Sequence, residues 1–95
     1  MQQFTPCGAS YALAMTGSSV PQALTTPQAA ASALYLYNGG TVIIAVRWGS
    51  GAQTAVTTDF TLAPGAYFVV GKGFADNVAA IGASGTLYVT AGEGQ

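Results

Sequence analysis

Charged residues are what this sequence has least of. Arg47, Lys72, Asp59, Asp76 and Glu93 make up 5 % of 95 residues, with a net charge of −1, where soluble domains carry roughly 25 %. Two basic groups are too few for binding through phosphate contacts, so nucleic acid is not an expected partner. Histidine is absent, which removes the commonest general base and metal ligand. Cys7 is the single cysteine, so no intrachain disulfide can form, and a free thiol is expected. No apolar run approaches the roughly eighteen residues of a spanning helix, and a membrane is not an expected partner. The first six residues lack a basic stretch followed by an apolar one, so no secretory signal is predicted.

These absences leave little for catalysis. Asp59 and Asp76 could in principle form an acid–base pair, yet both stand beside turn signals, where Asp commonly bonds its own backbone. The serines have no histidine to activate them, and Lys72 is the only lysine available as a substitute base. Three scattered carboxylates and one thiol do not make a metal site. Gly71-Lys72-Gly73 and Gly49-Ser50-Gly51 fall short of a phosphate-binding loop, which needs a longer glycine pattern opening a helix. A non-enzymatic protein without cofactor or metal is expected.

What is present is apolar and β-branched, with 51 % hydrophobic residues. The run Val42-Ile43-Ile44-Ala45-Val46 is branched at Cβ in four of its five positions, which favours a strand. It does not alternate with polar residues, so it predicts a strand covered on both faces. Around it, residues 11–15 predict a strand with Tyr11, Leu13 and Met15 on one face, a short helix being the competing assignment. Residues 20–24 predict an edge strand, because Pro21 cannot donate to a central ladder. Residues 25–31 hold the one helix candidate, with Pro27 suited to a first turn, but it is short enough that a loop or single turn is expected.

Residues 32–37 alternate, Leu34 and Leu36 to one side and Tyr35 and Tyr37 to the other. Asn38-Gly39-Gly40 predicts a positive-φ turn that makes the Val42 strand a hairpin partner. Residues 52–58 predict another strand. Pro64-Gly65 suits the centre of a type II turn, ahead of a second apolar strand at 66–70. A weaker strand at 78–81 is expected to form a hairpin, through Gly82-Ala83-Ser84-Gly85, with a last strand at 86–90. Seven or eight short strands with turn signals between them predict an all-β, single antiparallel β-sandwich, jelly-roll or immunoglobulin-like, with a small β-barrel as the alternative. Residues 1–95 form one domain in this reading, with 1–9 an extended N-terminal arm that reaches a neighbouring subunit.

Low charge and high apolar content point to a surface buried in an assembly. Phe4, Tyr35, Tyr37, Arg47, Trp48 and Tyr67 are the candidate interface residues, since Tyr, Trp and Arg are enriched at interfaces. Arg47 closes the most apolar strand, where Asp59 or Asp76 would serve as its partner if it is not simply solvated. The alternative use of Tyr35, Tyr37, Trp48, Tyr67 and Tyr88 is a platform that stacks sugar rings, making the chain a carbohydrate-binding module.

Four stretches carry a resemblance. Tyr37-Asn38-Gly39-Gly40-Thr41-Val42 is followed by Asp59-Phe60-Thr61-Leu62-Ala63-Pro64-Gly65. Beyond Ala79-Ala80-Ile81, the chain closes with Gly85-Thr86-Leu87-Tyr88-Val89-Thr90-Ala91-Gly92-Glu93-Gly94. This order of hairpin, turn and closing strand, over about two thirds of the chain, resembles small structural proteins of tailed bacteriophages. The resemblance implies a β-sandwich virion component of the decoration or cement kind, made in the host cytoplasm. It further implies a homo-oligomer that binds the major capsid protein or other virion proteins.

Overall fold

The structure, a computed structural model, describes residues 5, 6, 8, 10–25, 30–73 and 75–93. Among the described residues nine strands follow in order: β1 (Thr5–Pro6), β2 (Tyr11–Ala14), β3 (Val20–Ala23), β4 (Ala33–Asn38), β5 (Ile44–Gly49), β6 (Phe60–Leu62), β7 (Tyr67–Gly71), β8 (Asn77–Ile81) and β9 (Thr86–Glu93). One sheet runs β1-β9-β4-β7, with β2 beside β1 on the same flank of β9, and the other runs β3-β8-β5-β6. Every pairing is antiparallel.

The pairs β2–β9, β3–β8, β4–β7 and β5–β6 are those of one long hairpin whose apex is the 50–59 loop. Rolling that hairpin up adds the β4–β9 and β5–β8 ladders. This is the jelly-roll arrangement, two Greek keys closed into a sandwich. It selects among the architectures that the strand spacing allowed.

The core lies between the sheets. Leu34 and Leu36 of β4, Ile44 and Val46 of β5, Leu62 of β6, Val78 and Ala80 of β8, and Leu87 and Val89 of β9 form its centre. Alternation sets this face: in β4 the leucines are buried while Tyr35 and Tyr37 are only partly so. Burying side chains of this size stabilises by about 1.5–3 kcal/mol each.

Several local expectations hold. Pro21 sits on an edge strand. The 63–66 turn has Gly65 at φ 77° and Ala66 N–H donating to Ala63 C=O at 3.0 Å, as a type II turn requires. Residues 11–14 are a strand, with Leu13 and Met15 buried and Ala12 and Ala14 exposed. The expected turn at 25–31 falls largely on residues 26–29, outside the described residues. The N-terminal arm also lies mostly outside them; its described part, Thr5–Pro6, pairs with Glu93 and Gly92 of its own chain.

Both predicted hairpins are corrected. β4 and β5 belong to different sheets, as do β8 and β9. Gly39 and Gly40 are not among the positive-φ glycines, because the segment is a crossing between layers and not a tight reversal. Asn38 holds that crossing. Its buried side chain donates to Val42 C=O at 2.8 Å and Leu62 C=O at 2.9 Å and accepts Gly40 N–H at 2.9 Å. The 82–85 crossing packs on the same place: a Cβ at Gly85, φ 91°, would lie 2.7 Å from Gly40 Cα.

The run at 42–46 enters its strand only at Ile44, and Ile43 is 60 % exposed. Over residues 44–46 both faces are covered. Ile44 and Val46 point into the core, and outward-facing Ala45 is also buried. Its cover is the 50–59 loop, which replaces the strand predicted at 52–58. Ala55, buried, donates its N–H to Ser19 Oγ at 2.9 Å, at the far edge of the sheet beside β3. The loop therefore roofs the outer alanines Ala45 and Ala79. Its backbone bonds run to side chains and, from Asp59 N–H to Val56 C=O, within the loop, rather than to a neighbouring strand.

Candidate interaction surface

The two sheets treat their outer faces differently, and the open one lies on β4, β7 and β9. Tyr37 stands directly opposite Tyr67 on one side and Tyr88 on the other, with Tyr35 one step along β4. The Tyr37 and Tyr88 rings stack with centroids 6.0 Å apart at 26°, and Tyr35 lies 5.9 Å from Tyr67 at 36°. These are cross-strand contacts, direct and diagonal, of the kind that bind neighbouring strands. Tyr67 is 64 % exposed and Tyr88 40 %. The remaining outward positions nearby are Ala12, Val69 and Thr90, and none is charged. Thr90 is buried in a hydrogen bond with Ser10 Oγ.

A second aromatic group begins where this face meets its free edge. Phe68 follows Tyr67 on β7 but turns to the core side, opposite Leu36. It meets Phe60 of β6 edge-on at 5.6 Å, and Phe60 meets Trp48 at 5.8 Å. Phe60 and Phe68 remain 39 % and 51 % exposed. They close the side of the sandwich where both sheets end. Tyrosine face and phenylalanine seam are thus continuous around β7.

The sequence candidates divide accordingly. Tyr35, Tyr37 and Tyr67 come together, joined by Tyr88. Trp48 belongs to the other sheet and packs against the core, so it shares no platform with them. Arg47 lies on the roofed face, where its guanidinium donates to Asp59 Oδ1 at 2.9 and 3.3 Å. Phe4 lies outside the described residues. Tyr11 is structural: Thr25 N–H donates to its hydroxyl at 3.2 Å. Phe60 and Phe68 are not among the sequence candidates; the sequence signal for Phe68 is its place beside Tyr67 in an uncharged apolar run.

The titratable groups serve the loops. Asp59 accepts Val56 N–H at 2.8 Å, and this bond, followed by Arg47, holds its carboxyl below the usual carboxylate range. Asp76 accepts Asn77 Nδ2–H at 2.8 Å and Gly51 N–H at 3.0 Å, which lower it likewise. Burial pushes the Lys72 ammonium below its ordinary value, partly offset by Asp76 and Glu93, and its Nζ donates to Ala75 C=O at 2.6 Å. No group of three or more metal-ligating side chains occurs among the described residues. A cavity of about 370 Å³ opens under the loop between Ile43, Ala45, Thr57 and Ile81. It is lined by apolar and hydroxyl groups with no acid or base. Comparison of the chain with protein-family models, with curated proteins and with solved structures gives no match.

Proposed function

We propose that the chain is a non-enzymatic structural protein of a phage virion, of the decoration or cement kind, which self-associates and binds the capsid surface. The observation that carries this reading is the tyrosine face. Four tyrosines on three strands make a flat, uncharged surface, and Tyr supplies large contact area at low entropic cost. Low overall charge supports the same reading, as does the resemblance of the strand and turn motifs to phage structural proteins. The jelly roll recurs in viral capsid proteins, but also in lectins and cupins, so it adds only an analogy of fold. Sugar stacking is less well served. The stacked Tyr37 and Tyr88 turn their ring faces toward each other and leave edges and hydroxyls for a ligand.

In this reading the partners are the major capsid protein or other virion proteins and further copies of the chain, and its place is the virion. The test is co-sedimentation of the purified protein with capsids of the phage that encodes it. Wild type is expected to pellet with them. Tyr67→Thr with Tyr88→Thr is expected to weaken binding about 30-fold or more, the loss of one or two aromatic anchors. A dispersed protein that never pellets with capsids would refute the proposal.

A further inference from the structure

Among the described residues four flanks end the two sheets, and three carry a guard against joining another chain. β3 contains Pro21; β6 has three residues and runs into Pro64; the β1/β2 flank is two short pieces with Pro6. Short strands and prolines are how sheet edges avoid pairing. β7 has none of these devices. Its five residues, Tyr-Phe-Val-Val-Gly, include no charge and no proline, and both of its aromatics are exposed. Lys72, one position beyond, is buried with Nζ on Ala75 C=O, so its charge does not stand on the edge.

The ladder fixes which β7 groups face outward. Asn38 N–H donates to Ala66 C=O and Lys72 N–H to Ser32 C=O, each at 3.0 Å. Antiparallel pairs alternate between bonded and non-bonded, so Phe68 and Val70 turn their N–H and C=O toward β4. Tyr67, Val69 and Gly71 turn theirs away from the sheet, where no described strand receives them.

We infer that β7 joins β7 of a second copy of this chain, antiparallel and edge to edge, across a two-fold axis at Val69. The inference rests on the self-association in the proposed function and not on the capsid. In this register Val69 faces its own copy, the Tyr67 ring meets Gly71, and Phe68 meets Val70, so large side chains fall opposite small ones. An uncharged edge needs no oppositely charged partner, which suits a surface meeting itself. The β7 edge, five residues and about 17 Å long, runs beside the exposed rings of Phe60 and Phe68, so apolar side chains as well as backbone groups would be covered in the pairing.

Sedimentation velocity over a concentration series tests this, with circular dichroism and thermal melts reporting the fold. Wild type is expected to dimerise. Val69→Pro removes an outward N–H and spares the bonds to β4; Val69→Lys keeps the backbone and places a charge on the edge. Each is expected to raise the dimer dissociation constant about 100-fold or more while the monomer stays folded. Cys7→Ser with Val69→Cys is expected to crosslink as a dimer on oxidation, since bonded antiparallel partners stand about 5.5 Å apart, within disulfide reach. A dimer that survives both edge variants, or forms no crosslink, overturns the β7 pairing and leaves self-association standing. A wild type monomeric throughout overturns both, and co-sedimentation then decides the capsid separately.

Discussion

The outer face of the β3-β8-β5-β6 sheet and that of the β9-β4-β7 sheet make a natural experiment within one sandwich. The first carries alanines at Ala45 and Ala79, buried under a loop of the same chain. The second carries Tyr35, Tyr37, Tyr67 and Tyr88 and has no roof among the described residues. Side-chain size follows the cover. Where the chain folds over itself, small residues let backbone approach backbone. Where it does not, large aromatics stand ready for something else to bury. The polar fastenings divide the same way. Asp59, Asp76, Arg47 and Ser19 all hold the roof, while the open face has hydroxyls and rings.

The comparison breaks most completely if the sheets lose their stacking, and Asn38 is the place to do it. Asn38→Ala would leave Val42 C=O, Leu62 C=O and Gly40 N–H without partners, at a cost of about 3 kcal/mol, read as a lower midpoint in urea. Next comes the roof itself. Ala79→Leu forces volume beneath the 50–59 loop and is expected to destabilise by about 2 kcal/mol. Tyr88→Thr on the open face, losing mainly its contact with Tyr37, is expected to cost under about 1 kcal/mol. Equal costs at the two positions would mean that the faces are covered alike.

The smallest effect is pH-dependent and belongs to the loops. Asp59 and Asp76 both lie below the ordinary carboxylate value of 3.8, so the folded state holds their protons more weakly than the unfolded chain. Their stabilisation is complete above pH 3.8 and lost as pH falls through the lowered values. The melting temperature should therefore decline on acidification below about pH 4, and less steeply in Asp59→Asn. Lys72 has a slope of the same sign at the alkaline end of the range. Its ammonium is disfavoured in the fold, so wild type should gain stability relative to Lys72→Met as pH rises toward 10.5. Melts across that range measure it.

What could be read from the sequence was whatever a single strand decides alone. Leu34 and Leu36 against Tyr35 and Tyr37 gave the inner and outer faces of β4, and Pro21 placed β3 on an edge. Pairing between distant strands was not legible. Asn38-Gly39-Gly40 has the composition of a hairpin turn, and only Leu62, more than twenty residues on, reveals that Asn38 serves a crossing. The open face was half legible for the same reason. Tyr35 and Tyr37 share a strand, but Tyr67 and Tyr88 join them only through the β4 ladders, and Trp48 leaves them because β5 lies in the other sheet. The roof was hidden too. Residues 52–58 have strand composition, yet their backbone is committed to Ser19 and Asp59.

The placement of Thr5 opposite Glu93 has a mechanical consequence. Tension applied between those two residues does not shear a ladder, which would have to yield all at once. It unzips β1 from β9 pair by pair, Thr5 from Glu93 and then Pro6 from Gly92, and afterwards reaches the four pairs of β2. The sandwich therefore yields step by step when pulled between Thr5 and Glu93, so a firm attachment is better made through the tyrosines or the β7 edge than through a tether at those two strands.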